Sequence, residues 1–216
     1  SLGARLGASG IWNFLWRLGI QPRHCEIDDL PEPGCSVVWV SLDEGTNPSA
    51  LRCLYDWTVK GGNLVASGDA CAWANILGWP TQSWRTIQPE NPYAGLAWKF
   101  PGRSVELVAP NRWSLAIASS RPVNTTFVGT VHAVQGERQT PDRALLLPLD
   151  APALVIGQGY CYLNGHPFAA FQSWLQGQAD IQPWLAWRHR IFWLDEWVSA
   201  VADVLFTIGK ISPEGP

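Results

Sequence analysis

An α/β fold built on a mainly parallel sheet is what this sequence predicts, and three observations lead there. Over residues 1–80, apolar β-like runs and helical patterns follow one another as α-β-β-α-β-α, an order whose crossovers lay strands side by side with helices on their faces. Val37–Val40 and Leu64–Ser67 are continuous short runs rather than alternating ones, as strands covered on both faces are. The chain has 216 residues, 47% of them hydrophobic, enough for one domain with a sizeable core. No apolar stretch approaches the ~18 residues that a membrane-spanning helix requires.

Ile11, Phe14, Leu15 and Leu18 recur at helical spacing and predict a first helix with one apolar face, ended by Gly19. Two β runs follow, Arg23 to Ile27 and Ser36 to Val40, separated by the acidic, proline-bearing turn Asp28 to Gly34. The second has the pattern of a central parallel strand. Asn47 and Pro48 supply the N-cap and first position of a second helix, whose Leu51, Leu54, Tyr55 and Thr58 share a face and which Gly61 and Gly62 end. Leu64 to Ser67 is the next buried strand, and Gly68-Asp69 leads into a short helix stopped by Gly78 and Pro80.

The middle third changes character. Leu96 to Phe100, Ser104 to Ala109, Trp113 to Ala118 and Thr125 to Val134 are short β runs divided by Pro, Gly and Asn, which predicts an antiparallel insertion, or an extension of the sheet, at about residues 95–135. Ala153 to Gly157 returns to a buried-strand pattern. A final helix carries Trp197, Val201, Val204, Leu205 and Ile208 on one stripe, with Asp195 and Glu196 in its first turn. The whole reads as one domain over residues 1–211, with 212–216 as a tail or linker.

The net charge is −3 and the basic residues stand singly, so no nucleic-acid footprint is present. Charged residues make up 15% of the chain against about 25% in an average domain, which predicts a surface that is largely neutral or covered by a partner: other domains of a parent protein, or a second copy. Five cysteines without a CxxC pair predict reduced, buried thiols and favour a cytoplasmic setting. The first residues lack the pattern of a signal peptide and the chain lacks an initiating Met, which suggests an excised fragment. Fourteen tryptophans stand beside no methionine; most are expected in the core.

The run LRCLYDWTVKGGNLVASG, Leu51 to Gly68, resembles the helix, Gly-Gly, strand segment of class I glutamine amidotransferase-like domains. The run ALVIGQGYCYLNG, Ala153 to Gly165, resembles the stretch where relatives such as the ThuA-like proteins and the middle domain of certain β-galactosidases return to the sheet. The resemblance implies a flavodoxin-like three-layer sandwich in which the strand from Leu64 feeds a nucleophile elbow. Such domains open with a strand, whereas this chain opens with a helix.

Acyl transfer in that family needs a cysteine on a tight strand-to-helix turn, with small residues two before and two after it, and a His-x-Glu pair late in the chain. Cys71 lies in the right region, but Asp69 and Trp73 stand where small residues belong. Neither His166-Pro167-Phe168 nor His189-Arg190-Ile191 supplies the pair. Cys71 therefore reads as a structural thiol and the triad as missing.

Asp69 follows a buried strand at the carboxyl edge, where open α/β sheets hold ligands; it serves there as a ligand contact or as a helix N-cap. Asp43 and Glu44 follow the neighbouring strand, so the three carboxylates either converge on a cation or sugar hydroxyl or remain solvated. His24, His132, His166 and His189 show no metal spacing, and no metal site is expected. His166 sits in a Gly-rich turn beside Tyr160, Tyr162 and Asn164, as a binding loop or a plain surface turn would have it. In the Trp-rich segment from Trp184 to Trp197, Trp184 and Trp187 beside Arg188 are the candidates for a sugar- or protein-stacking face, while Trp193 and Trp197 fall on the core stripe. No GxGxxG, Walker or GxSxG motif occurs, so no cofactor is expected.

The expectation is a non-catalytic amidotransferase-like module acting as an accessory, assembly or ligand-binding domain of a larger protein, with a carbohydrate-active parent as one context. Two other classes stay open: a hydrolase using Asp69, Asp43 or Glu44 with His166, and a plain oligomerisation domain.

Overall fold

The computed structural model describes residues 2–43, 45–68, 76, 81–87, 95–107, 113–118, 124–137, 140–176, 193–209 and 211. In chain order the elements are α1 (Leu2–Arg17), β1 (Val37–Leu42), α2 (Pro48–Val59), β2 (Asn63–Gly68), β3 (Thr81–Ile87), β4 (Gly95–Phe100), β5 (Arg103–Leu107), β6 (Trp113–Ala118), β7 (Thr126–Glu137), β8 (Thr140–Gly157), β9 (Tyr160–Asn164), α3 (Pro167–Leu175) and α4 (Trp193–Asp203). A single 3-10 turn covers Ile27–Asp29, and α4 runs on into a π-helical turn at Val204–Ile208.

Among the described residues the main sheet has seven strands in the order β1-β2-β9-β8-β7-β4-β5, and β3 pairs with β6 in a separate antiparallel ribbon. The sheet is parallel only across β1, β2 and β9 and antiparallel from β9 to β5. A mainly parallel sheet is thus realised at one end alone. The reason is in the connections: two residues join β8 to β9 and two join β4 to β5, and such hairpins can only make antiparallel neighbours. Of the insertion or sheet extension expected in the middle third, β4, β5 and β7 extend the sheet, while β6 pairs with β3 in the separate ribbon.

Leu64–Ser67 lies in the interior of the parallel end, with Val65 opposite Trp39 on one side and Cys161 on the other. β1, expected at the centre, is an edge strand among the described residues. Its apolar run is explained by its faces: Val38 and Leu42 join the cluster around α2, while Trp39 packs on the cluster around α1. Arg23–Ile27 forms no strand. Residues 23–26 are exposed, and only Ile27 and Leu30 turn inward against the α2 side.

The caps read from the sequence are made as read. The Asn47 side chain accepts the Ser49 N–H at 2.9 Å, with Pro48 at the first helical position. At the other end Gly61, at φ 99°, donates to Thr58, and Gly62 donates to Trp57, the paired bonds of a Schellman turn that aims the chain into β2.

Helices cover both faces of the parallel end. α2 contributes Leu51, Leu54 and Trp57 to one cluster. The other gathers Ile11, Phe14 and Leu15 of α1, Phe168 and Phe171 of α3, and the Trp197, Val201, Val204 and Leu205 stripe. Phe14, Phe168 and Trp197 meet edge to face, and Phe171 stacks on Trp197 at 4.7 Å. Burial of each such side chain contributes roughly 1.5–3 kcal/mol, with somewhat more from the ring geometry.

The antiparallel half curls over this second cluster. β4 stands three strand spacings from β9, about 14 Å along a flat sheet. Yet the Trp98 indole N–H on β4 donates to the Asn164 carbonyl at the end of β9, at 2.8 Å. The bend falls where the β7/β8 register shifts between Thr130 and His132, as a bulge produces. Trp98, Phe100, Val128 and Val131 thereby close onto the aromatic cluster.

Candidate functional site

Parallel strands that end together make an edge where backbone N–H and carbonyl groups converge, and three strands end so here. β2 stops at Gly68, whose φ of 104° turns the chain; an added Cβ would fall 2.2 Å from the Leu42 carbonyl oxygen, so no other residue fits. The Gly68 N–H donates to the Gly165 carbonyl, forming a bridge between the exits of β2 and β9. Tyr162, wholly buried, sits beneath it. Its hydroxyl has one proton and gives it to the Gly68 carbonyl at 2.7 Å, while accepting the Gly165 N–H at 3.3 Å. The buried Asn164 amide donates to the Pro152 carbonyl of β8 at 2.8 Å, and the Asn164 carbonyl takes the Trp98 indole. Each of these groups is buried, so each bond replaces a desolvation cost of about 1–3 kcal/mol per unmet group.

Of the residues singled out in the sequence, Asp43 and His166 come to this edge. Asp43 follows β1 and is folded onto its own turn: its N–H donates to Thr46 Oγ1 at 2.9 Å, its carboxylate accepts the Thr46 hydroxyl at 3.3 Å, and its carbonyl accepts the Thr46 N–H at 3.0 Å. His166 follows β9 and starts α3, its carbonyl accepting the Ala170 N–H at 3.1 Å. The strands that deliver them are two spacings, about 10 Å, apart with β2 between. Glu44, Asp69, Cys71, Trp184 and Trp187 lie outside the described residues. Among the described residues, no group of three His, Cys, Asp or Glu side chains is placed to hold a metal ion, and no helix is long and apolar enough to cross a membrane.

One expectation about composition needs correction. Of the thiols described, Cys25, Cys35 and Cys53 are exposed and only Cys161 is buried. Cys35 lies in an irregular segment that no element covers, and Cys53 is on the outer side of α2, away from Leu51 and Leu54. Burial pushes the Cys161 thiol up to about 12, and it donates to the Gly209 carbonyl at 3.6 Å. Trp12 and Trp16, a turn apart on α1, are 43% and 53% exposed. The signal for them was available, since both fall off the Ile11, Phe14, Leu15, Leu18 stripe. The sequence marks Tyr162 and Asn164 only as neighbours of His166 in its turn, and Trp98 carries no signal.

No family model matches the chain, and no curated protein matches it. Among solved structures it is similar to the exo-beta-1,4-mannosidase Op5Man5 from Opitutaceae bacterium strain TAV5, at 15% sequence identity and a TM-score of 0.49, over 86% of this chain. The chain spans 30% of the length of that enzyme's chain.

Proposed function

We propose that the chain is a non-catalytic, amidotransferase-like α/β module, flavodoxin-like in its layering at the parallel end, which serves as an accessory, assembly or ligand-binding domain of a larger protein. One observation carries the reading: Tyr162, Asn164 and Asp43, at the carboxyl edge, are bonded within the chain itself. Tyr162 and Asn164 tie strand exits together, and Asp43 closes the turn after β1. In support, α2 ends in Gly61-Gly62 and feeds an interior parallel strand, the arrangement that the resemblance implies. Trp12 and Trp16 add a paired aromatic face, of the kind that is enriched where proteins meet or sugars stack.

Glutaminase and amidase assays of the purified chain test the first part. No turnover above background is expected, and turnover abolished by Cys71→Ala would overturn it. Turnover abolished by His166→Ala or Asp43→Ala instead would favour a hydrolase. Trp12→Ala/Trp16→Ala tests the assembly part. The variant is expected to keep its thermal stability and to lose self-association in light scattering, or binding on a glycan array if the face holds carbohydrate; unchanged behaviour in both would remove α1 as the contact.

A further inference from the structure

We propose that the hydroxyls of Ser41 and Ser67, with the first-turn N–H groups of α3, form a binding site for a small oxyanion, the phosphate or carboxylate group of a ligand. The two serines are register partners on β1 and β2, one row before those strands end. Ser67 alternates with Val65, so it leaves the sheet on the face that α1 and α3 cover. Ser67 is 1% exposed, both hydroxyl oxygens are buried, and neither has a hydrogen-bond partner among the described residues.

The helices place these hydroxyls at the start of α3. α1 and α3 run in the same direction, because Gly10 sits on the Phe168 carbonyl and Asn13, further along, donates to Gln172 at 2.7 Å. Gly7, one turn before Gly10, sits on Ser41 Oγ. Ser41 Oγ therefore lies about one turn before the level of Phe168, just ahead of the start of α3, and the Gly68–Gly165 bridge brings the exit of β2 to the same end. Pro167 has no N–H, and Ala170 donates to the His166 carbonyl. That leaves the N–H groups of Phe168 and Ala169, buried residues both, as first-turn donors that no carbonyl of α3 can reach.

Two unpartnered hydroxyls thus lie at the positive end of a nine-residue helix whose first turn offers two amides. The group that satisfies such a set is negative and rich in lone pairs, which is an oxyanion. This deepens the ligand-binding part of the proposed function and rests on it. The amidase assays and the titration that follows can fail independently of each other.

The full-length chain is titrated at constant ionic strength with inorganic phosphate and, separately, with acetate, against chloride, and followed by amide NMR spectra and thermal unfolding. The site predicts saturable shifts at Ser67, Phe168 and Ala169, a Tm that rises with the anion above the chloride reference, and an affinity about tenfold weaker in Ser67→Ala. Saturation by phosphate alone names a phosphoryl ligand, and saturation by acetate alone a carboxylate. Shifts that do not saturate, or an anion response unchanged in Ser67→Ala, overturn the proposal. Should that variant not fold, the amide titration of the unaltered chain decides.

Discussion

Replacing Tyr162 with Phe removes one oxygen from the point where β2 and β9 leave the sheet. The ring keeps its place, so no cavity of consequence opens. What changes is that the Gly68 carbonyl and the Gly165 N–H, both buried, lose the partner they hold at 2.7 and 3.3 Å. Each orphaned group costs about 1–3 kcal/mol, so Tyr162→Phe should lose about 2–6 kcal/mol. For a domain of this size about 2–4 °C accompanies each kcal/mol, which puts the fall in Tm at about 4–24 °C. Urea unfolding followed by circular dichroism measures the loss directly, with the slope against urea unchanged because the same surface is exposed. Tyr55→Phe, on the half-buried side of α2, is the control and should move stability by less than about 0.5 kcal/mol. A loss below about 1 kcal/mol for Tyr162→Phe would refute the bridging role of its hydroxyl.

Gly10→Ala drives a Cβ to 1.9 Å from the Phe168 carbonyl oxygen, backbone that cannot rotate away, and should cost more than about 2 kcal/mol by prising α1 off α3; a neutral effect in thermal unfolding would contradict that packing. Thiol labelling read by mass spectrometry should modify Cys25, Cys35 and Cys53 in the folded chain and Cys161 only on unfolding, with Cys25 slower than Cys35 because partial burial, then Asp29 and Glu26, raise its pKa. The Cys161 thiol, raised from 9.0 to about 12 in the folded state, stays protonated where the unfolded chain ionises. Its contribution to stability is therefore full below pH 9 and declines as pH rises from there towards 12; Cys161→Ala should flatten that decline, and an unchanged alkaline limb would contradict it.

Elements with a clean period were legible in the sequence. α1 and α2 show an apolar stripe with a cap at one end or both, and Leu64–Ser67 shows a run that only a doubly covered strand tolerates. α3 was not legible, because Pro-Phe-Ala-Ala-Phe-Gln-Ser-Trp-Leu is apolar almost all round and offers no stripe. The length of β8 was hidden by Pro141, Pro148 and Pro152, which read as breaks although a bulged, curled sheet admits them. The position of β1 was misread for a related reason: an apolar run reports covered faces and says nothing about which strands lie alongside. Asp43 could be placed at the carboxyl edge because that edge follows from the order of elements, whereas His166 was legible only as a turn residue. The Tyr162, Asn164 and Trp98 bonds were out of reach, since they join residues 94, 12 and 66 positions apart through a curl no local pattern encodes.

The parallel setting of β2 between β1 and β9 is measured most directly by interstrand nuclear Overhauser contacts between backbone protons. Contacts from Val65 and Ala66 to Trp39 and Val40 on one side, and to Cys161 and Tyr162 on the other, with register rising together along all three strands, are the predicted result. Contacts to one neighbour only, or a register that falls as the other rises, would contradict the account.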